Sequence, residues 1–186
     1  ELNLLYAGRI SADRGMLDYL EILRGLRLRG IPARLILAGS FIPEQERAEF
    51  DQACLEMRDW ITILGWTPYP EMPKVLRNAD VGLAILQPIP RFKAALPVKL
   101  FEYMAAGLPV VASNFPLIRE IVEKHHCGLL IDPSHGVKPA IDGIEEWWKH
   151  RETGIQAGER GRQAVLDHYN WDKLMQDLFA LYDTLL

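Results

Sequence analysis

Short, continuous apolar runs alternate along this chain with longer segments whose apolar residues recur at helical spacing, and this alternation restricts the fold more than any other feature. The runs are Asn3–Ala7, Arg34–Ala38, Thr62–Leu64, Val81–Ile85, Val110–Ala112 and Gly128–Ile131. They read as strands buried on both faces, the condition of a parallel sheet covered by helices. Between the first two, Met16, Tyr19, Leu20, Leu23 and Leu26 repeat at helical spacing and Gly30-Ile31-Pro32 stops the helix, which makes a βαβ unit. Further helices are predicted over Pro43–Asp59, Pro70–Asn78, Val98–Ala106, Pro116–Lys124, Val137–Arg151, Ile155–Tyr169 and Trp171–Leu186. Beyond Asp132 the pattern is wholly helical, so the last segment is expected to cover one side of the sheet. The prediction is an α/β, doubly wound parallel sheet with helices on both faces and an all-helical C-terminal segment. Its ligand crevice is expected at the carboxyl ends of the strands.

The chain has 186 residues, enough for a single domain, 1–186, with a sizeable core. It lacks an initiator Met and enters a strand at Leu2, which suggests an excised part of a longer protein. The longest charge-free stretch, Tyr103–Ile118, is interrupted by Gly107, Pro109 and Pro116 and is too short to span a bilayer. A net charge of −4 argues against nucleic acid as a partner while leaving room for a local basic pocket. Cys54 and Cys127 have no metal-ligand spacing and suit reduced packing thiols, so a cytoplasmic location is expected. His125-His126-Cys127 is a poor metal site, because three adjacent residues do not easily face one ion.

Two segments carry candidate chemistry. Gly8-Arg9-Ile10-Ser11-Ala12-Asp13-Arg14-Gly15 joins the first strand to its helix. Gly8 permits close backbone approach, and Arg9 and Arg14 bracket a helix start that already favours an anion. Phosphate is the natural partner; the bland alternative is a surface turn in which both arginines pair with Asp13 or solvent. The second segment runs from Leu96 to Ser113. Pro97 opens a helix whose N-terminus is a second place for phosphate oxygens, and Val98, Phe101 and Ala105 are read as one side of it. Lys99 and Glu102, i,i+3 neighbours at its edge, would otherwise form a solvated ion pair worth roughly 0.2–0.5 kcal/mol.

Several blocks, in order, resemble the family-four (group 1) retaining glycosyltransferases: Gly8-Arg9 with Gly15 downstream, Ile63-Leu64-Gly65, Asn78-Ala79-Asp80-Val81, Glu102-Tyr103-Met104-Ala105-Ala106-Gly107-Leu108-Pro109-Val110-Val111-Ala112-Ser113, and Gly128-Leu129-Leu130-Ile131-Asp132-Pro133. The resemblance covers nearly the whole chain. It implies the Rossmann-like, donor-binding C-terminal half of a GT-B enzyme, whose N-terminal half would bind a glycan or lipid-linked acceptor. It also implies transfer of a sugar from a nucleotide-diphosphate donor, of UDP or GDP type, with retention at the anomeric carbon. By this resemblance Arg9 contacts the donor pyrophosphate, and Arg14 stands where lysine is usual. Glu102 accepts hydrogen bonds from the ribose, and Trp66 and Thr67 lie near the base.

One departure is notable. Ala94 stands where the first glutamate of the family's E-x7-E element would hold the donor sugar. The run Pro97-Val98-Lys99 looks instead like a Pro-x-Lys-x-x-Glu variant in which Lys99 reaches toward the donor. No Asp-x-Asp motif is found, so no metal and no cofactor beyond the donor substrate are expected. A full-length protein would work in the cytoplasm, with peripheral contact at the inner face of a membrane if its acceptor is lipid-linked. A non-catalytic nucleotide-sugar-binding or docking module, or a GT-B type epimerase, remain alternative readings. Base, sugar and acceptor are not legible.

Overall fold

The computed structural model describes residues 1–184. Its six strands, β1 (Leu2–Ala7), β2 (Ala33–Ala38), β3 (Ile61–Gly65), β4 (Val81–Ala84), β5 (Val110–Ser113) and β6 (Gly128–Ile131), form one sheet in the order β3-β2-β1-β4-β5-β6. Every pairing is parallel, and β1 and β2 run in register from Leu2 opposite Ala33 to Ala7 opposite Ala38. The doubly wound prediction holds. The chain winds outward from β1 in both directions, so the gap between β1 and β4 is the topological switch point, where such sheets open a crevice.

The helices are α1 (Met16–Leu28), α2 (Glu46–Ala53), α3 (Met72–Arg77), α4 (Pro90–Lys93), α5 (Val98–Ala105), α6 (Pro116–His125), α7 (Lys138–Lys149), α8 (Arg151–His168) and α9 (Trp171–Asp183). Alternation along β1 sorts the two layers: Leu4 and Tyr6 enter a core with Leu23 of α1, Phe50 of α2 and Ile144 of α7, whereas Leu5 and Ala7 enter one with Leu100 and Tyr103 of α5 and Ile118 of α6. The central strands β1, β4 and β5 are thus buried on both faces, as their unbroken apolar runs require, whereas the edge strand β3 is only half-buried with Leu64 exposed, and β6 is buried only at Ile131. Helix α8 lies against α5 and the turn after it through glycines: a Cβ on Gly161 would stand 3.3 Å from Met104 of α5, and one on Gly158 1.9 Å from the carbonyl oxygen of Gly107 in the turn.

Three boundaries differ from the prediction. The helix expected over Pro43–Asp59 is α2 followed by a 3-10 segment, Leu55–Trp60, which tightens after Cys54 and delivers the chain into β3 with Met57 buried. The helix expected over Pro70–Asn78 begins as a 3-10 turn, Tyr69–Glu71, before α3. Helices α7 and α8 meet at His150 with no gap before Ile155. The predicted end of the last helix at Leu186 lies outside the described residues. The apolar side of α5 is also not the one predicted: Leu100, Tyr103 and Met104 are buried, while Val98 and Ala105 face outward. That rotation carries Lys99 inward.

Candidate functional site

Strands β1 and β2 end in the same pattern, Leu4-Leu5-Tyr6-Ala7-Gly8 and Leu35-Ile36-Leu37-Ala38-Gly39, and the two glycines meet. The Gly8 N–H donates to the Ala38 carbonyl at 2.8 Å, and a Cβ on Gly39 would fall 1.8 Å from the Gly8 oxygen. Gly8 has φ 125°, where other residues are strained. The chains stay paired beyond the glycines, with Ile10 N–H donating to Ser40 at 2.9 Å and Ile42 N–H donating to Ile10 at 3.0 Å. Backbone without side chains therefore floors the crevice.

Over this floor lies a cleft of about 300 Å³ whose wall includes Gly8, Arg9, Gly39, Ser40, Ile42, Trp66, Thr67, Met72 and Glu102. Five residues singled out from sequence, Gly8, Arg9, Trp66, Thr67 and Glu102, are brought together here. Trp66 is 75% exposed, so its indole is free to stack on something flat. The Glu102 carboxylate faces the cleft with no hydrogen bond or ion pair among the described residues. A larger cleft of about 480 Å³ between α1 and α7, lined by Leu17, Leu20, Glu21, Arg24, Leu28 and Ile141, includes none of the residues singled out from sequence.

Two cationic nitrogens near this floor are buried without acceptors, one on the buried Lys99 beside Gly8 and one on the half-buried Arg14. Lys99 is 7% exposed; its Nζ has no hydrogen-bond partner, sits 3.5 Å from the Tyr6 ring centroid, and would be 3.3 Å from a Cβ on Gly8. Arg14 Nε is likewise buried and unpartnered, with its guanidinium 5.1 Å from the Phe92 ring centroid. Burial, reinforced by Arg14 and opposed by Glu102, holds the Lys99 amine well below the usual lysine range. The solvated Lys99–Glu102 pair is absent: Glu102 is half-buried on the cleft side, and no ion pair joins the two. Nor does Asp13 pair with Arg9 or Arg14; it accepts from the Ser11 hydroxyl and forms an ion pair with Arg91. Those bonds outweigh partial burial and hold the Asp13 carboxyl below its ordinary value. Four other residues singled out from sequence are not in the cleft wall: Arg14 and Lys99, and Pro97 and Val98 at the start of α5, with Val98 71% exposed.

Three buried tyrosines fix this geometry. The Ala7 N–H donates to the Tyr103 hydroxyl at 2.8 Å, the Tyr6 hydroxyl donates to the Arg9 carbonyl, and the Tyr19 hydroxyl lies 2.8 Å from the Ile85 carbonyl and against that of Arg14. Burial pushes all three phenols up, so they stay protonated, Tyr6 and Tyr19 donating and Tyr103 accepting. Sequence reading missed them as site residues because apolar packing accounts for a buried tyrosine equally well. It also missed Gly39 and Ser40, although the repeated strand ending was a usable signal. Among the described residues no cluster of three metal-ligating side chains occurs, His125-His126-Cys127 included, and both cysteines are buried free thiols. No helix among them is long and apolar enough to cross a membrane.

Comparison with known proteins agrees with this architecture. Residues 1–164 match the family described as glycosyl transferases group 1. An uncharacterized glycosyltransferase of Methanocaldococcus jannaschii, MJ1607, is 25% identical over 186 residues, 98% of this chain and 45% of that protein. The alpha-D-kanosaminyltransferase of Streptomyces kanamyceticus is 26% identical over 179 residues, 96% of this chain and 45% of the relative. The chain thus spans about half the length of the curated relatives it matches. Among solved structures, the C-terminal domain of the group 1 protein LpcC from Francisella tularensis superposes with a TM-score of 0.78 at 18% identity, covering 91% of this chain and 87% of that one. Anabaena Alr3699/HepE, solved in complex with UDP and glucose, superposes with a TM-score of 0.80 at 18% identity, covering 98% of this chain and 48% of that one. With the expected Rossmann-like GT-B fold in place and the family matched over most of its length, the chain belongs to the group 1 glycosyltransferases.

Proposed function

We propose that this chain is the nucleotide-sugar-binding domain of a retaining, metal-independent glycosyltransferase that works in the cytoplasm. The donor is a UDP or GDP sugar, and the acceptor, a glycan or lipid-linked hydroxyl, is presented by an N-terminal domain. The observation that carries the reading is the pair of buried, unpartnered cationic nitrogens, Lys99 Nζ and Arg14 Nε, the first of them against the bare Gly8 backbone. Such groups lose solvation without gaining an acceptor, and an anion arriving there would supply one. Arg9 at the cleft wall adds a third cation, Glu102 suits ribose hydroxyls, and Trp66 with Thr67 suits the base. That UDP occupies Anabaena Alr3699/HepE is consistent with a pyrimidine nucleotide here.

In this reading the bond between the anomeric carbon and the donor phosphate oxygen breaks with its electron pair going to the diphosphate. Arg9, Arg14 and Lys99 neutralise the growing charge more strongly in the transition state than in the ground state. The acceptor hydroxyl attacks from the same face, and its proton passes to the departing phosphate or to a group of the other domain. Glu102 is the one carboxylate in the cleft wall, which is too little to hold a bridging divalent cation; the chain's own cations do that work. Calorimetric titration with UDP, GDP, ADP and the free nucleosides in EDTA tests the reading. A diphosphate that binds more tightly than its nucleoside supports it, and failure of every diphosphate to bind, or a strict magnesium requirement, contradicts it.

A further inference from the structure

The position of Lys99 sets a condition on its charge that no neighbour satisfies in the empty cleft. The charged and titratable groups facing it are Arg14 from the turn between β1 and α1, Tyr6 from β1, and Glu102 and Tyr103 from its own helix. Tyr19 of α1 stands behind Tyr6 with ring centroids 4.8 Å apart. Arg14 repels an ammonium and the phenols stay neutral. Glu102 attracts it without bonding to it, and the Tyr6 ring offers only its quadrupole. The Nζ is nine-tenths buried, aimed at the Gly8 backbone, and has no acceptor.

We propose that donor binding is coupled to proton uptake at Lys99: the empty cleft holds the side chain as a neutral amine, and an arriving nucleoside diphosphate converts it to the ammonium that then faces the leaving phosphate. The inference rests on the donor-site reading above and adds to it when the charge is present. One proton leaves solvent for Nζ as the diphosphate binds and returns when it departs, with no bond broken elsewhere. A lysine suits this role and an arginine does not, because only the amine shifts its protonation readily on burial. The arrangement gives the protein a cation that exists when a diphosphate is there to accept its hydrogen bonds. The direction of the Lys99 shift agrees, since burial and Arg14 both lower it in the empty protein while a diphosphate would raise it.

The test is UDP titration by calorimetry at pH 8.5 in buffers of different ionisation enthalpy. At that pH the terminal phosphate, whose second ionisation lies near about pH 6, contributes no proton of its own. Wild-type protein should take up a proton on binding and lose up to about tenfold in affinity per pH unit between the lowered value of the empty site and the ordinary lysine range. Lys99→Met should show no uptake and a flat profile, and Lys124→Met, on the exposed face of α6, should behave as wild type. The Cε resonance of Lys99 read by NMR in wild-type protein is a check that needs no variant: it should titrate below the other lysines without UDP and move upward with it. Titration of Lys99 together with the exposed lysines in empty protein, or UDP binding at pH 8.5 without proton uptake, overturns the coupling alone. Failure of both UDP and GDP to bind at any pH overturns the donor-site reading, and the coupling with it.

Discussion

An amine buried without an acceptor is a liability to the fold, and at Lys99 it costs about 1–3 kcal/mol. Lys99→Met, which keeps the apolar stem and removes the charge, should therefore raise the stability of the ligand-free chain at neutral pH while UDP binding falls. The sign of the pH dependence follows from the lowered value in the native state. Between that value and the ordinary 10.5 the unfolded chain binds more protons, so wild-type stability rises with pH and the advantage of the variant shrinks toward pH 10. Urea unfolding of both proteins at pH 7 and pH 10 measures it, and a variant less stable than wild type at pH 7 contradicts the burial argument. Arg9→Ala should weaken UDP by about 1.5–3 kcal/mol with little effect on uridine, whereas Glu102→Gln should weaken both, because its proposed partner is ribose. Calorimetry with UDP and uridine separates the two, and a Glu102→Gln effect confined to UDP would reverse the assigned orientation of the ligand. Arg9, Trp66 and Glu102 were legible in the sequence because each follows a strand end or sits in a recognisable block. The burial of Lys99 was not. Apolar residues at 98, 100, 101, 103, 104 and 105 surround most of α5, so helical periodicity alone admits two rotations, and the sheet selects the one that turns Leu100, Tyr103 and Met104 inward.

At the level of elements, every predicted strand forms, and the helices that failed to match did so where local hydrogen bonding overrides apolar spacing. Phe50 and Met57 fit one long helix by periodicity. The chain instead tightens after Cys54, with Met57 N–H donating to the Cys54 carbonyl at 2.8 Å, and Trp60 ends under the Arg27 guanidinium, 4.0 Å from its ring centroid. No residue in that stretch is a strong helix breaker, so the change was invisible in the sequence. The contact of α8 with the turn after α5 was equally hidden, because a glycine inside a helix reads only as a weak position. Gly158→Ala tests it. Helix propensity alone predicts a gain of up to about 1 kcal/mol, but the added Cβ would meet the Gly107 carbonyl at 1.9 Å. The expected outcome in denaturant is a net loss of about 1–3 kcal/mol, the scale of an overpacked interior. A stabilised variant would show that α8 is free to move off the turn that positions α5, and with it Lys99 and Glu102.

For the molecule as a whole, the sheet order places the β1–β4 switch point, the Gly8–Gly39 floor and the start of α5 at one edge, where Arg9, Trp66, Thr67 and Glu102 line the cleft and Lys99 stands against Gly8. In the proposed reading an acceptor-binding domain supplies the other wall of the cleft, so this chain should bind donor but not turn over. The chain alone is therefore expected to bind UDP or GDP in EDTA and to give no multiple-turnover sugar transfer from the corresponding nucleotide sugars. Transfer by residues 1–186 alone, followed by product chromatography, would contradict that division of labour. The central claim, that the diphosphate lies against Gly8 between Arg14 and Lys99, is tested most directly by a crystal structure of the chain grown with UDP or GDP. The account predicts phosphate oxygens within hydrogen-bond distance of Lys99 Nζ and the Arg14 guanidinium, with the ribose at Glu102 and the base beside Trp66. A nucleotide bound elsewhere, or one in this cleft whose phosphates leave both buried nitrogens unpartnered, would contradict it.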